Sequence, residues 1–235
     1  MQTLTKEVKL RLNLLMVTTK FGMKDIAIYG FGGFGREIAC LIKMINQIKP
    51  TWNLVGFFDD SVEAGTKNRF GSVLGGFEKM NTWGKPLNVV MAIASSAVLK
   101  SITQRVNNDM ISFPNLIAPN TIIFDEESLK MGKGNVVFFG CRISCDVEIG
   151  DFNLANGAVS FGHDVSIGSY NVLSPSTRLS GNCSVGDENF FGVYSTLLQG
   201  VKVGNNVRIG AGSIVIRKTR DNSLYMGNPA KLVKI

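Results

Sequence analysis

His163 is the only histidine among 235 residues, and it stands between Gly162 and Asp164 in the glycine-studded aliphatic stretch AVSFGHDVSIG. An imidazole titrates near neutrality, which suits it to take a proton from an amine or hydroxyl attacking an acyl carbon. Asp164, or another nearby carboxylate, would orient the ring and stabilise the imidazolium. A main-chain amide would meet the developing oxyanion. With a thiol as leaving group, this chemistry asks for neither a metal nor a covalent enzyme intermediate. A lone imidazole also supplies no trio of histidines for a carbonic-anhydrase type of zinc site, so metal dependence is not expected. The competing reading is a surface histidine of no consequence.

What positions His163 is a repeat. Stepping by six from Met131 reaches Val137, Ile143, Ile149, Ala155, Phe161, Ile167 and onward to Val215, and all fifteen positions are apolar. The following position is usually Gly, Ser or Asn, as at Gly132, Gly150, Gly162, Gly186, Gly192, Gly204 and Gly210. A helix needs spacings of three and four, and a sandwich needs alternation broken by irregular turns. A strict period of six fits a parallel β-helix, in which each hexad is a short strand with one inward aliphatic residue and a corner eased by glycine or asparagine. In that phase Phe161 points inward, so His163, two residues on, lies near a corner and away from the aliphatic interior. A bare prism has flat faces. Ligand sites are therefore expected in grooves between neighbouring copies, which implies a homo-oligomer, with a trimer the first expectation.

The first half reads as an open α/β unit. KDIAIYG runs into GFGGFG and then REIACLIKMIN, so Gly30, Gly32 and Gly35 match G-x-G-x-x-G between a strand and a helix, where backbone amides approach an anionic phosphate. A second strand ends in Asp59 and Asp60, placed to accept hydrogen bonds from a ribose or base, and a third ends in small residues including Ser95 beside the same crevice. Three readings compete there: a nucleotide-linked substrate, a dinucleotide for hydride transfer, and a tight turn with no ligand. A nucleotide-linked substrate is preferred, because the unit is short and a β-helix supplies no familiar dehydrogenase partner.

Composition narrows the function classes. The net charge of +7 divides into +3 over residues 1–23 and +4 over residues 214–235, leaving the body neutral. A basic tail with Arg217, Lys218 and Lys231 suits the phosphates of one ligand better than a nucleic acid, which wants a continuous basic stripe. GNPAK, residues 227–231, also reads as a turn that ends the β-helix. No apolar run approaches the roughly 20 residues of a membrane span. The N-terminal stretch lacks a sustained apolar segment and a small-residue cleavage site, so the protein is read as cytoplasmic. Cys40, Cys141, Cys145 and Cys183 form no CxxC pair and read as reduced, buried small residues. The domain reading is an upstream extension over 1–22, expected to be poorly ordered, a Rossmann-like domain over 23–113, and a β-helix with its tail over 114–235.

GFGGFGREIA, FFDD, FPNLIAP, NGAVSFGHDVSIG, LSPSTRLSGNCSVG and IGAGSIVIRKTRDNSLYMGNPAK together resemble the NeuD/PglD-type sugar acyltransferases over about residues 23–235. That family includes sialic acid O-acetyltransferases and nucleotide 4-amino-sugar N-acetyltransferases. The resemblance implies a left-handed β-helix, a trimer binding acetyl-CoA between adjacent subunits, and an α/β domain that delivers a nucleotide-sugar. By position it implies His163 as general base, Asp164 as its carboxylate neighbour and Asn156 in the same groove. It further implies Gly181, the first candidate for the oxyanion amide, Val193 and Ala211 along acetyl-CoA, where Gly192, Gly210 and Lys231 are also expected, and Gly33, Phe34, Asp59 and Asp60 along the nucleotide-sugar, where the crevice reading adds Gly30, Gly32 and Ser95. The chain departs from relatives at Phe34, Ala118 and Val172, where some of them carry histidine. The expected activity is N-acetylation of a nucleotide-linked 4-amino-sugar in surface glycan biosynthesis, by direct transfer in a ternary complex. The alternatives are O-acetylation of sialic acid or another sugar hydroxyl, and a non-catalytic nucleotide-binding scaffold.

Overall fold

A computed structural model describes residues 22–234, so the extension expected over residues 1–22 lies, apart from Gly22, outside the described residues. The first part carries β1 (Lys24–Tyr29), α1 (Gly33–Ile48), β2 (Trp52–Phe58), β3 (Lys67–Asn68), β4 (Gly71–Gly75), α2 (Phe77–Asn81), β5 (Leu87–Met91), α3 (Ser96–Arg105) and β6 (Ile111–Ser112). They form one sheet in the order β3-β4-β2-β1-β5-β6, parallel except for the β3–β4 hairpin. The near-continuous apolar runs of β1 and β5 suit a parallel sheet covered on both faces. α1 buries Ile38, Leu41 and Ile42, spaced three and four apart, against it. The chain leaves β1 toward β2 on one side and continues through β5 on the other, which opens a crevice at their C-terminal ends.

From β7 (Leu116–Ile117) through β23 (Ile214–Val215) the chain is a parallel solenoid of two-residue strands, matching the left-handed β-helix expected from the hexapeptide repeat. Within the repeat successive coils pair in register eighteen residues apart, as in Val137↔Ala155, Ile143↔Phe161 and Ile149↔Ile167, so three flat faces close a triangular prism; only at its ends does the spacing change, as in Leu116↔Val136 and Ile209↔Tyr225. The expected inward residues Val137, Ile143, Phe161, Leu173, Phe191, Leu197 and Ile209 form one buried core. The prism extends past the repeat as read from sequence: coils begin at Leu116, and β24 (Leu224–Gly227) joins the first face after Ile209. β24 turns back on β25 (Ala230–Val233) as an antiparallel hairpin, and GNPAK is its tip.

The corners differ from expectation. The residues that adopt left-handed backbone recur every six positions from Gly134 and Gly140 through Asp146, Phe152, Ala158, Asp164, Tyr170 and Ser176 to Gly200, Asn206 and Gly212, and most are not glycine. The glycines one position after each inward residue serve another purpose, because the next coil passes against them. A Cβ on Gly192 would sit 2.5 Å from the Ala211 nitrogen, and one on Gly162 2.6 Å from the Gly181 nitrogen. Each non-glycine left-handed residue costs on the order of 1 kcal/mol. Main-chain bonds to the coil below, such as Asp164 N–H to the Cys145 carbonyl at 3.2 Å, hold them there.

One corner encloses a ladder of buried asparagines eighteen residues apart: Asn135, Asn153, Asn171 and Asn189. Each Oδ1 accepts the main-chain N–H and the side-chain Nδ2–H of the asparagine above, at 2.8–3.1 Å, and Asn189 Oδ1 ends the series on Val207 N–H. The polar interior is thus satisfied along the axis. Cys141 and Cys183 fill other interior corner positions, where burial pushes the Cys141 thiol up to about 11, whereas Cys40 and Cys145 are half-buried, contrary to the expectation that all four are buried.

The first face carries the α/β part. Its outward residues Leu116, Val136 and Leu154, with Ala118 and Phe138, pack on α1, where the other two faces present Arg142, Ser160, Arg178, Glu148 and Ser166 to solvent. α3 is strapped to the prism by Lys100 Nζ to Glu188 Oε1 at 2.5 Å. Nearby, Phe152 stacks on Tyr170 at 5.4 Å and meets Phe113 edge-on. Asn171→Ala should orphan the Asn189 N–H and Nδ2–H, while Asn153 Oδ1 keeps the main-chain N–H of residue 171 and loses only the side-chain donor. We expect it to destabilise the fold by about 1–3 kcal/mol, read as a lower unfolding midpoint, with less effect from a serine substitution at exposed Glu148.

Candidate active site

His163 projects from the corner that follows the Ser160–Phe161 strand, with its side chain about half exposed at 53%. Its Nδ1 lies 2.7 Å from Asp164 Oδ2. Asp164 holds a left-handed backbone, φ 57°, a conformation that aspartate tolerates and that turns its carboxylate back onto the ring. One coil above, Gly181 leaves the space that the imidazole fills: a Cβ there would lie 2.6 Å from His163 Cε1. The Asn182 N–H bonds the His163 carbonyl at 2.8 Å and fixes the separation of the two coils. Among the described residues the Gly181 N–H has no main-chain acceptor.

Eighteen-residue spacing sorts the other expected residues into columns. Cys145, His163, Gly181 and Gln199 stack along one corner. Phe139, Gly157, Pro175, Val193 and Ala211 stack along another, at the opposite end of the same face, with Asn156 beside them. Val193 and Ala211 are exposed there. The expected acetyl-CoA residues thus occupy two separate corners of one chain. Gly192 is buried against the next coil, and Gly210 lies beneath the Met226 side chain, whose Cγ would be 2.7 Å from an added Cβ. Lys231 is exposed on the terminal hairpin, paired in register with Met226.

At the crevice, the glycines divide their tasks. Gly30 has φ 117° and crowds the Ala92 carbonyl, and Gly35 packs directly on the Gly30 carbonyl, whereas Gly32 and Gly33 are exposed at the turn. Asp59 and Asp60, expected at a ribose or base, are engaged within the chain. Asp59 accepts the Phe31 N–H and the Ser61 N–H, each at 2.8 Å, and so ties the glycine turn to the end of β2. Asp60 accepts the Phe77 N–H at 2.7 Å and the Tyr29 hydroxyl proton. Burial, with the Asp60 bond second, raises the Tyr29 phenol far above its ordinary range. Ser95 caps α3 by position, exposed, and its hydroxyl makes no capping bond.

Between α1 and the prism lies a cavity of about 620 Å³. It joins Gly33 at the glycine turn to Phe138, Phe139, Asn156 and Pro175 on the solenoid, and its α1 side presents Arg36 and Cys40. Phe34 packs on Phe138, ring centroids 6.2 Å apart, in the cluster that also buries Ala118. Two departures from the family pattern therefore share one apolar cluster. Sequence reasoning passed over Phe138, Phe139 and Pro175, although Phe138 stands where the repeat usually places a small residue and so marked a site. Among the described residues no three of His, Cys, Asp or Glu converge on a metal-sized space, and no helix is long and apolar enough to cross a membrane.

Comparison with known proteins bears on both halves. Residues 25–106 match the PglD N-terminal domain, and residues 182–217 match the bacterial transferase hexapeptide (six repeats). The acetyltransferase domain of PglB from Neisseria gonorrhoeae FA1090, solved in complex with acetyl coenzyme A, is 26% identical, with a TM-score of 0.79 over 90% of this chain and 100% of that one. PerB from Caulobacter crescentus, solved with CoA and GDP-perosamine, is 26% identical, with a TM-score of 0.76 over 89% and 97%. WeeI from Acinetobacter baumannii AYE shares the fold, at 24% identity and a TM-score of 0.80 over 90% and 100%. With a glycine-turn α/β domain and a hexapeptide prism each matched, this chain is an acyltransferase that joins a PglD N-terminal domain to bacterial transferase hexapeptide repeats, in the manner of the NeuD/PglD-type sugar acetyltransferases.

Proposed function

We propose that the protein transfers acetyl from acetyl-CoA to the amino group of a nucleotide-linked 4-amino-sugar, with His163 as general base. The observation that carries this reading is the 2.7 Å His163–Asp164 pair on an open corner, its ring seated over Gly181. The likeness to PglB and PerB, solved with acetyl-CoA and with CoA and GDP-perosamine, supports the two substrates. The amine attacks the thioester carbon while its proton passes to His163 Nε2, and Asp164 Oδ2 steadies the imidazolium through Nδ1. The oxyanion meets the Gly181 N–H. On collapse the carbon–sulfur bond breaks and the imidazolium returns its proton to the departing thiolate of CoA. Asn156 faces the acceptor from the cavity, Val193, Ala211 and Lys231 follow the pantetheine arm and phosphates, and the glycine turn with Ser95 receives the nucleotide.

The assembly is a homotrimer in which the His163 corner of one copy meets the Asn156 corner of the next. The two corners lie at opposite ends of one face in a single chain, so each half-site lacks its partner until a second copy supplies it. Exposed apolar side chains support this placement: Phe139, Val193 and Tyr194 at one edge of that face and Leu198 and Ile216 at the other, each 41% exposed or more.

Release of the CoA thiol should be followed with UDP-, dTDP- and GDP-linked 4-amino-sugars and with free sialic acid. Turnover on an amino-sugar nucleotide should fall about 10²–10⁴-fold in His163→Ala; full activity in that variant would remove His163 as the base, and turnover on sialic acid alone would make the enzyme an O-acetyltransferase. Gly181→Ala pushes the ring from its seat, and kcat should drop by about tenfold or more with the unfolding midpoint little changed. Sedimentation should give a mass of three copies, and Leu198→Glu combined with Ile216→Glu should yield smaller species without transfer; a monomeric active wild type would sink the shared site.

A further inference from the structure

The cavity between α1 and the prism carries a charge pattern that the proposed chemistry does not use. Arg36, in the first turn of α1, folds an Nη to within 3.8 Å of the point where a side chain on Gly33 would begin. A cation in that turn is the wrong sign for the helix's own dipole, so packing of the helix does not explain it. One turn further along the same helix lies Cys40, and the Nη of Arg69, from the turn between β3 and β4, reaches its sulfur at 4.0 Å. Arg69 is braced by the Phe70 ring, with its Cζ 4.6 Å from the centroid. Two guanidiniums from different elements thus line one cavity. Glu37 is the one carboxylate on that lining, and among the described residues neither arginine has a carboxylate within 4.0 Å. The opposite wall, Phe138, Phe139 and Ala118, offers neither guanidinium an anion.

We propose that Arg36 and Arg69 form a two-armed clamp for an anionic group of the acceptor. Planar guanidiniums bind phosphate and carboxylate oxygens in pairs, and a partly enclosed apolar wall strengthens such bonds by limiting water. The clamp rests on the assignment of this cavity to a nucleotide-linked acceptor. Its anion has two sources within such a molecule: the diphosphate, entering from the glycine turn past Gly33 and Arg36, or a carboxylate on the sugar ring, lying deeper beside Arg69.

Calorimetric titration of the full chain with UDP, dTDP, GDP, UDP-glucose and UDP-glucuronate separates the sources, with acetyl-CoA binding as the check that each variant is folded. If the clamp holds the diphosphate, Arg36→Gln and Arg69→Gln each weaken the best nucleoside diphosphate about tenfold or more, as loss of a charge-assisted hydrogen bond requires. If it holds a sugar carboxylate, nucleoside diphosphates bind the variants normally, but a wild-type preference for UDP-glucuronate over UDP-glucose disappears. Unchanged binding of all five probes in both variants overturns the clamp and leaves the acceptor assignment standing. A wild type that binds acetyl-CoA but none of the five overturns both.

Discussion

Every feature of the prism depends on coils meeting eighteen residues apart. A two-residue strand has almost no stability alone, since it fixes the backbone for very few hydrogen bonds. Stacked at constant register, the same strands share one aliphatic column per face, one polar ladder, and corner amides that each bond the coil beneath. The left-handed corners are individually unfavourable and collectively enforced. This explains why Phe152, Tyr170 and Tyr194, poor residues for that backbone, are accepted in it: their side chains are useful outside the prism, two of them against Phe113 or α3, and the stack holds their backbones.

The constraint also distributes chemistry. Because the corners repeat vertically, a residue's function depends on its column and its height. His163 and Gly181 share a column, and the close fit between them follows from the coil spacing without any loop. The Asn156 side belongs to another column. The α/β part is attached to the remaining face through apolar outward residues, so its crevice opens above the Asn156 column, and the cavity forms at that junction. The glycine turn is held independently by Asp59, which bonds the Phe31 N–H, so the turn has its shape before any ligand arrives.

The solenoid was legible in the sequence because its inward residues obey a period no other fold imposes, and the phase placed His163 at a corner correctly. The corner chemistry was misread. Glycines at the position after each inward residue suggested special backbone angles, yet they are small because a neighbouring coil touches them, a contact eighteen residues away that a six-residue period does not display. The asparagine ladder escaped for the same reason, being visible only when every third hexad is compared. Asp59 and Asp60 were correctly placed at a strand end, but the hydrogen bonds that occupy them come from Phe31, Ser61, Tyr29 and Phe77, which sequence order does not bring together. The cavity was the least legible feature, since Arg36, Arg69 and Phe139 come from three distant segments, and only the bulky Phe138 in a small-residue slot hinted at it.

The fixed coil height turns the prism into a ruler. Neighbouring strands lie about 4.8 Å apart, so the reactive corner can move relative to the α/β part only in steps of that size, by whole coils of eighteen residues. Gradual adjustment must come from elsewhere, through side chains on α1 or the length of the β3–β4 turn. Divergence among prisms of this kind should therefore be discontinuous in the solenoid and fine-grained at the junction, where residues such as Phe34 and Ala118 change the contact without disturbing the register.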